Sequence, residues 1–427
     1  MIILSIETSC DETAVSLIEI KSGKNGEVFN ILSNEVFSQI KIHQKYGGVV
    51  PEVAARAHLE KIMFVLENAL KPIKNDFRKI DLIAATQGPG LITSLLVGWQ
   101  AAKTLSWFYK KPLVPVNHLA GHICAGWLNK GLTPTLRSPD VKSGQESRGS
   151  DRNPDGTVGE CVGEFRINFP LLAMIVSGGH TELVLMKNHD QYKILGQTVD
   201  DAAGECFDKV AKILNIGYPG GPAISMEAAK LHAPSSKLSA QGGSASGGQV
   251  SRSKFHVNLP RPMIKSDDLN FSFAGLKTAV LYKWNELNYG AQYKKLNKKE
   301  IKKTVHVSGT ENLIPFFCYE TQQAIIDVLI AKTLKAAKLF QPKTIILCGG
   351  VAANKELRQQ MTGAILKNFP YIKFIIPCFE FCTDNAAMIA AAGYFKYQKM
   401  NAKQRTKLKL NWQTVEPDPQ LELQSYL

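Results

Sequence analysis

Residues 2–20 read IILSIETSCDETAVSLIEI, and a second stretch of the same design, LLAMIVSGGHTELVLM, occupies residues 171–186. In each, two short runs of branched and apolar residues flank a turn of small and polar ones, TSCDET in the first and SGGHT in the second. Such runs fit buried strands, and the pair predicts a hairpin. The downstream elements repeat too. The first hairpin leads to a further strand and a helix from about Pro51 to Leu70, and the second to a strand and the helix holding Cys206 to Leu214. Each half continues with strand, glycine-rich turn and helix, in DLIAATQGPGLITSLLVG and in TIILCGGVAANKELR. Each closes with one more strand and helix, in LVPVNHLAGHICAGWL and KFIIPCFEFCTDNAAMIAAAGYF. One α/β unit is therefore expected twice. The alternation predicts a mixed sheet flanked by helices in each copy, with ligands gathering where strands end. If the copies face each other, TSCDET, TQGPG, NHLAGH, SGGHT, LCGGVAAN and CTDN line one cleft.

A length of 427 residues suits two domains better than one core. Two stretches break the pattern: 133–164, full of Ser, Gly, Asp and Arg, and about 233–254, dominated by Ser, Gly and Gln. Neither carries enough apolar surface to offset its ordering entropy, so both are expected as surface insertions. The chain thus divides into a first lobe (1–132), the insertion 133–164 near the lobe boundary, a second lobe (165–400) and a C-terminal tail (401–427). A basic run, KKLNKKEIKK at 294–303, reads as a solvated loop able to touch RNA.

Hydrophobic residues make up 44% of the chain and charged residues 21%, and no apolar run approaches the ~20 residues of a membrane-spanning helix. The opening MIILSIETS reads as a strand and not as a signal or transit peptide, so a cytoplasmic location is expected. Eight cysteines without a pairing pattern suit a reducing compartment. Cys378 and Cys382 lack a second Cys/His pair at zinc-site spacing and read as structural. A net charge of +14 would draw a polyanion, although charge alone explains simple solubility equally well.

Gly178-Gly179, Gly349-Gly350 and Gly220-Gly221-Pro222 let main-chain N–H groups approach a phosphate, and three such turns in a duplicated frame point to nucleotide binding. His118 and His122 lie four apart at a helix start, a spacing that puts both imidazoles on one face for a metal. A third ligand is offered by Asp384, which follows the last strand of the second half as His118 follows that of the first. Two packed histidines without metal are the competing reading. Leu119 stands where a zinc-protease helix needs Glu, which removes the main support for peptide hydrolysis. Asp11 and Glu12 tip the first hairpin, where an acidic pair facing phosphates suggests a proton-transfer or metal-linked role.

The stretches IETSCDETA, HQKYGGVVPEVAARAHLEKI, TQGPGLITSLLVG, NHLAGHI, VSGGHTELV, DDAAGECFDKVAKILN, YPGGPAI, FSFAGLKTAV, CGGVAANKELR and CTDNAAMIA run nearly end to end. Through them the chain resembles the bacterial and mitochondrial tRNA threonylcarbamoyladenosine transferases, relatives of the catalytic subunit of the KEOPS complex. The resemblance implies an α/β fold of the actin, sugar-kinase and heat-shock ATPase type, with two duplicated RNase H-like lobes around a central cleft. It implies one divalent metal, iron (Fe2+) or zinc, on His118, His122 and Asp384. It implies substrate contacts from Val176, Ser177, Gly178, Gly179 and His180, from Asp208, from Gly221 and from Asn354. A further contact position, often acidic in the family, is Ser225 here, and a hydroxyl replaces only part of such a contact. The implied reaction moves threonylcarbamoyl from threonylcarbamoyl-AMP to the adenosine following the anticodon of tRNA and releases AMP, with Asp11 or Glu12 as proton acceptor. The implied partners are tRNA, an inactive paralogue, a P-loop ATPase and the threonylcarbamoyl-AMP synthase. The absence of a leader favours the bacterial setting. A kinase or ATPase of the same fold, or a non-catalytic scaffold, are the alternatives; a kinase has no evident use for paired cleft histidines, and a scaffold would be expected to lose the triad.

Overall fold

The computed structural model describes residues 1–23, 26–128, 167–232, 257–289 and 310–423. The sequence-predicted insertions and the basic run at 294–303 lie outside the described residues.

Strand β1 (Ile2–Glu7) pairs antiparallel with β2 (Glu12–Gly23), Glu7 opposite Ala14, so the turn between them carries Asp11. β2 pairs antiparallel with β3 (Gly26–Ser38). On its other edge β1 runs parallel to β4 (Leu82–Gly88), and β4 parallel to β5 (Leu113–Asn117). The second half repeats this: β6 (Leu171–Val176), β7 (Thr181–Asn188) and β8 (Gln191–Gln197) form the antiparallel part, and β9 (Thr344–Cys348) and β10 (Lys373–Ile375) the parallel part. The two five-stranded orders, β3-β2-β1-β4-β5 and β8-β7-β6-β9-β10, are the same. The expected duplication is therefore present strand for strand.

Helix Pro51–Leu70 starts with proline at its first turn, where the missing N–H costs no helical bond. Ala54, Ala57, His58, Ile62, Val65, Leu66 and Ala69, which recur at helical three- and four-residue spacings, are buried on its inner face, and its lower turns pack with Leu4, Ile6, Val15 and Leu17 of the sheet.

The last helix of each half crosses to the other half. Helix Ala386–Lys399, from the second half, packs on β1, β2, β4 and β5, while helix His118–Cys124, from the first, touches β6 and β9. Alanines and Gly393 make this crossing possible: a Cβ on Gly393 would lie 2.8 Å from Cβ of Ala84. A core containing Ile3, Val116, Ile123, Ile175, Ile346 and Ile389 fills the seam, so it joins both halves. The chain then returns to the first lobe, where Trp412 and Val415 pack on the sheet core and the backbone runs on to Leu423. Among the described residues, no helix is long and apolar enough to cross a membrane.

Candidate functional site

A cavity of about 1290 Å3 opens between the two sheets, at the ends of the strands. It is bounded by Ser9–Glu12, Pro89–Leu91 and His118 from the first half, and by Ser177–His180, Asp208, Gly221, Ser225, Asn354 and Asp384 from the second. All six predicted turns reach it. Val176 ends β6 and is buried in the core beneath this wall. Gln44 donates its side-chain N–H to the Tyr218 carbonyl (3.1 Å), a direct link between the lobes.

At the floor, Asn117 caps helix His118–Cys124 by accepting from the N–H groups of Leu119 (2.8 Å) and Ala120 (3.2 Å). The helix thereby presents His118 and His122 one turn apart, their ring centroids separated by 4.7 Å. Asp384 lies nine residues beyond β10, with the short helix Phe379–Cys382 between, so the symmetry with His118 is approximate in sequence. In space the two meet. Asp384 Oδ1 is 3.5 Å from His118 Nε2 and 3.2 Å from His122 Nε2, and the prospective ligand atoms all lie within 4.8 Å of one another.

The surroundings fit a metal. His122 is wholly buried; among the described residues its Nδ1 has no hydrogen-bond partner, and its Nε2 faces Asp384 Oδ1 at 3.2 Å. A buried ring nitrogen without a partner is costly, and a cation shared by Nε2 and the carboxylate suits such a site. His118 Nδ1 lies 3.1 Å from Glu7 Oε2 and 3.2 Å from Ser9 Oγ, which turns Nε2 toward Asp384. Glu7 itself, fully buried, also accepts from the Ser9 N–H and the Thr86 hydroxyl. Burial works against a charge on His118, yet Asp384 and Glu7 outweigh it and raise its pKa to about 9. Burial likewise opposes charge on Asp384, and the two imidazoles prevail, holding it at about 2. Two nitrogens and a carboxylate, in a pocket carrying excess negative charge, suit a divalent transition-metal ion.

Above this floor the acidic tip is held from behind. His58, buried in helix Pro51–Leu70, reaches the Cys10 carbonyl through Nε2 (3.0 Å) and the Thr13 hydroxyl through Nδ1 (2.8 Å). Glu12 accepts from Ser38 Oγ (3.1 Å), and burial together with the Asp11 charge pushes its carboxyl well above the usual range. A carboxyl so raised holds its proton more readily than a free one.

On the opposite wall the Ser177–His180 turn is closed by the Ser177 N–H donating to the His180 carbonyl (2.8 Å) and the His180 N–H donating to Ser177 Oγ (3.1 Å). A Cβ on Gly178 or Gly179 would meet nothing within 4 Å, so these glycines leave space in front of the turn. Gly349 serves packing instead: its φ is 93° and a Cβ would sit 2.4 Å from the Val176 carbonyl oxygen. His180 is pushed down to about 4 by burial and by the neighbouring His118 and His122. Asp208 accepts from the Gly220 N–H (2.7 Å) and is raised, chiefly by burial, to about 6. Ser225 donates to Gln322 Oε1 (2.9 Å), and Asn354 Nδ2 donates to both Ser225 Oγ (2.8 Å) and Gln322 Oε1 (2.9 Å).

The sequence matches the family described as "TsaD: tRNA N6-adenosine threonylcarbamoyltransferase" over residues 30–141 and 158–391. The chain belongs to this family. Among curated members, it is 43% identical to the tRNA N6-adenosine threonylcarbamoyltransferase of Thermosipho africanus, covering 93% of this chain and 95% of that protein. It is 40% identical to the one of Bacillus subtilis, covering 93% and 91%. Among solved structures, full-length HypF in its phosphate- and nucleotide-bound form aligns with 94% of this chain and 47% of that chain, at TM-score 0.50 and 11% identity. That likeness concerns the fold, which is of the actin-like, two-lobed type.

As a member of the tRNA N6-adenosine threonylcarbamoyltransferase family the chain is a transferase. The residues its motifs nominated line one cavity, apart from Val176 and His122, which are buried behind its wall, His122 beside Asp384. Sequence reading missed Glu7, Ser9 and Thr86 behind His118, His58 behind the acidic tip, and Gln322 between Ser225 and Asn354. Glu7 carried one signal that could have been used: a carboxylate ending a strand whose other residues are uncharged and mostly apolar. Cys382 is buried and receives an N–H from Arg358 at 3.0 Å, in keeping with a structural role.

Proposed function

We propose that this transferase moves the threonylcarbamoyl group of threonylcarbamoyl-AMP to the exocyclic amine of the adenosine 3′ of the anticodon, in tRNAs reading codons that begin with A, and releases AMP. The observation that carries this reading is the juxtaposition, in one cavity, of the His118/His122/Asp384 cluster with the open glycine turn and the acidic tip. A bound iron or zinc ion on those three side chains would supply Lewis acidity toward an oxygen of the adenylate. The N–H groups at Gly178 and Gly179 are the candidate donors to the phosphate, on a cavity-lining turn with open space at both Cβ positions. The Asn354–Ser225–Gln322 group offers neutral polar contacts to the nucleoside, in place of the acidic contact common in the family.

In the reaction the amine nitrogen bonds to the carbamoyl carbon, the bond from that carbon to the phosphate oxygen breaks, and the amine sheds one proton. Asp11 and Glu12 face the cavity and are the candidate acceptors. The tRNA is gripped mainly through its phosphates by the basic surface, with the target base in an unpaired loop. The setting is the cytoplasm, where tRNA resides. An inactive paralogue, a P-loop ATPase and the threonylcarbamoyl-AMP synthase complete the system. Leu59, Met63 and Phe64, at 70%, 67% and 62% exposure on helix Pro51–Leu70, offer the paralogue an apolar face.

The test is reconstitution of the full chain with unmodified tRNA, threonylcarbamoyl-AMP and Fe2+ or Zn2+, followed by nucleoside analysis. Threonylcarbamoyladenosine and AMP should appear in equal amounts. ADP formation from ATP with no modified nucleoside would refute the reading. Full single-turnover rates in both Asp11→Ala and Glu12→Ala would remove the tip from proton transfer.

A further inference from the structure

The last described residues, Asn411–Leu423, cross the first lobe as a strap, beyond residue 391 where the family match ends. Asn411 Nδ2 donates to the Leu113 carbonyl (2.9 Å) and Trp99 Nε1 to the Val415 carbonyl (2.9 Å), which fixes the near end. Farther on, the Asp418 N–H donates to the Gln87 carbonyl (2.8 Å) and the Gly90 N–H to the Pro419 carbonyl (3.3 Å). The strap thus holds the Gln87–Gly90 turn. That turn is one step from the metal cluster, because the Leu91 N–H donates to the Ser9 carbonyl (2.8 Å) and Ser9 Oγ touches His118 Nδ1. The far end reaches the dihistidine helix itself. Asn117 Nδ2 donates to the carbonyls of Leu421 (3.1 Å) and Glu422 (3.2 Å), while Asn117 Oδ1 caps the helix. Leu423 is then buried in the seam core.

Asn117 is 4% exposed and uses its whole amide, two acceptances toward the helix and two donations toward the strap. Capping alone would be met as well by Asp or Ser. The donations are what only the amide supplies. Helix His118–Cys124 has seven residues, too few to hold its own geometry, so its anchors set where the two imidazoles point. One anchor is packing against Met388 and Ile389, which a Cβ on Gly121 would meet at 3.2 and 2.8 Å. The other is the cap.

We infer that Asn117, clamped by the strap carbonyls of Leu421 and Glu422, is a positioning residue for the metal ligands, and that the C-terminal strap is a working part of the metal centre. The inference rests on the reading of His118, His122 and Asp384 as metal ligands. Supporting contacts behind metal ligands contribute about 10- to 100-fold to affinity.

The test is Co2+ titration of the metal-free full chain, followed by its d–d absorption, with His122→Ala as the reference for the metal site. Three variants are compared with wild type: Asn117→Asp, a chain ending at Pro417, and the two combined. Asp keeps both capping acceptances but turns a carboxylate toward two carbonyls. Its added negative charge would by itself strengthen cation binding, so a loss reports the strap. The expected result is about 10- to 100-fold weaker Co2+ binding and an altered d–d band in each single variant, with far-UV circular dichroism retained and no further loss in the combination. Wild-type affinity and spectrum in Asn117→Asp would overturn the inference, and this outcome stands even if the shortened chain fails to fold. A combined loss equal to the sum of the two would also overturn it, since Asn117 and the strap would then act separately. If His122→Ala retains the wild-type Co2+ spectrum, the metal reading itself fails, which is a distinct outcome.

Discussion

Replacing Glu182 by Gln is expected to stabilise the protein above neutral pH and to leave it unchanged in acid. Glu182 lies on β7 opposite Gln197, is 7% exposed, and its Oε2 has no hydrogen-bond partner among the described residues. Burial first, and the Glu422 carboxylate second, raise its carboxyl from 4.5 to about 7. The folded chain therefore keeps this proton over a range in which the unfolded chain has lost it. Stability from this group falls as pH climbs from 4.5 to about 7 and stays low above. At about 1.4 kcal/mol per pH unit, the penalty has a ceiling of about 3 kcal/mol. Glutamine carries no charge to bury, so Glu182→Gln should gain up to that amount at pH 8 and close to nothing near pH 4.5. Glu422→Gln should recover only the smaller share, because burial is the larger cause. The assay is urea denaturation of the three proteins at pH steps from 4.5 to 8. Parallel stability curves for wild type and Glu182→Gln across that range would refute the reasoning.

Gly349→Ala combines a left-handed φ with a Cβ 2.4 Å from a backbone oxygen, so it should lose at least about 2 kcal/mol by denaturant unfolding. Gly350→Ala, whose Cβ meets nothing within 4 Å, should stay within about 0.5 kcal/mol of wild type. Chelator should lower the melting temperature of the metal-loaded protein and Zn2+ should restore it, whereas His122→Ala should respond to neither; equal responses would exclude these ligands. Gln322→Leu removes the shared acceptor of Ser225 and Asn354, and the KM for the proposed adenylate substrate should rise about tenfold with kcat nearly unchanged. A fall in kcat alone would place these residues elsewhere in the cycle. Phe64→Asp should weaken association with the proposed paralogue partner in sedimentation while leaving the fold intact, given its 62% exposure.

Local chemistry made much of this protein readable. Short apolar runs that form fully buried strands, helices with a three-four repeat, and glycine turns between them are written in neighbouring residues, and the repetition of their order made the duplicated fold legible. So were the six turns that line the cleft, because turns at equivalent strand ends must face the same space, whereas Asp208 and Ser225 were named only through the family resemblance. His118 and His122 were visible as a pair through helical spacing alone, and Asp384 through the symmetry of the halves.

Contacts between distant segments were not readable in that way. Glu7 supports His118 across 111 positions of sequence, and Asn117 meets the strap across 304 and 305. Nothing in the spacing of IILSIE or of DPQLELQ announces either partner. The exchange of last helices between the halves was equally silent, since the alanine-rich face of Ala386–Lys399 fits any close-packed surface. The amino-acid pattern determined which elements form and which side chains reach the cleft, through periodicity and turn geometry over a few residues. Only the packed tertiary structure decided which buried polar groups stand behind those side chains, because each must find its partner in whatever segment folding brings alongside.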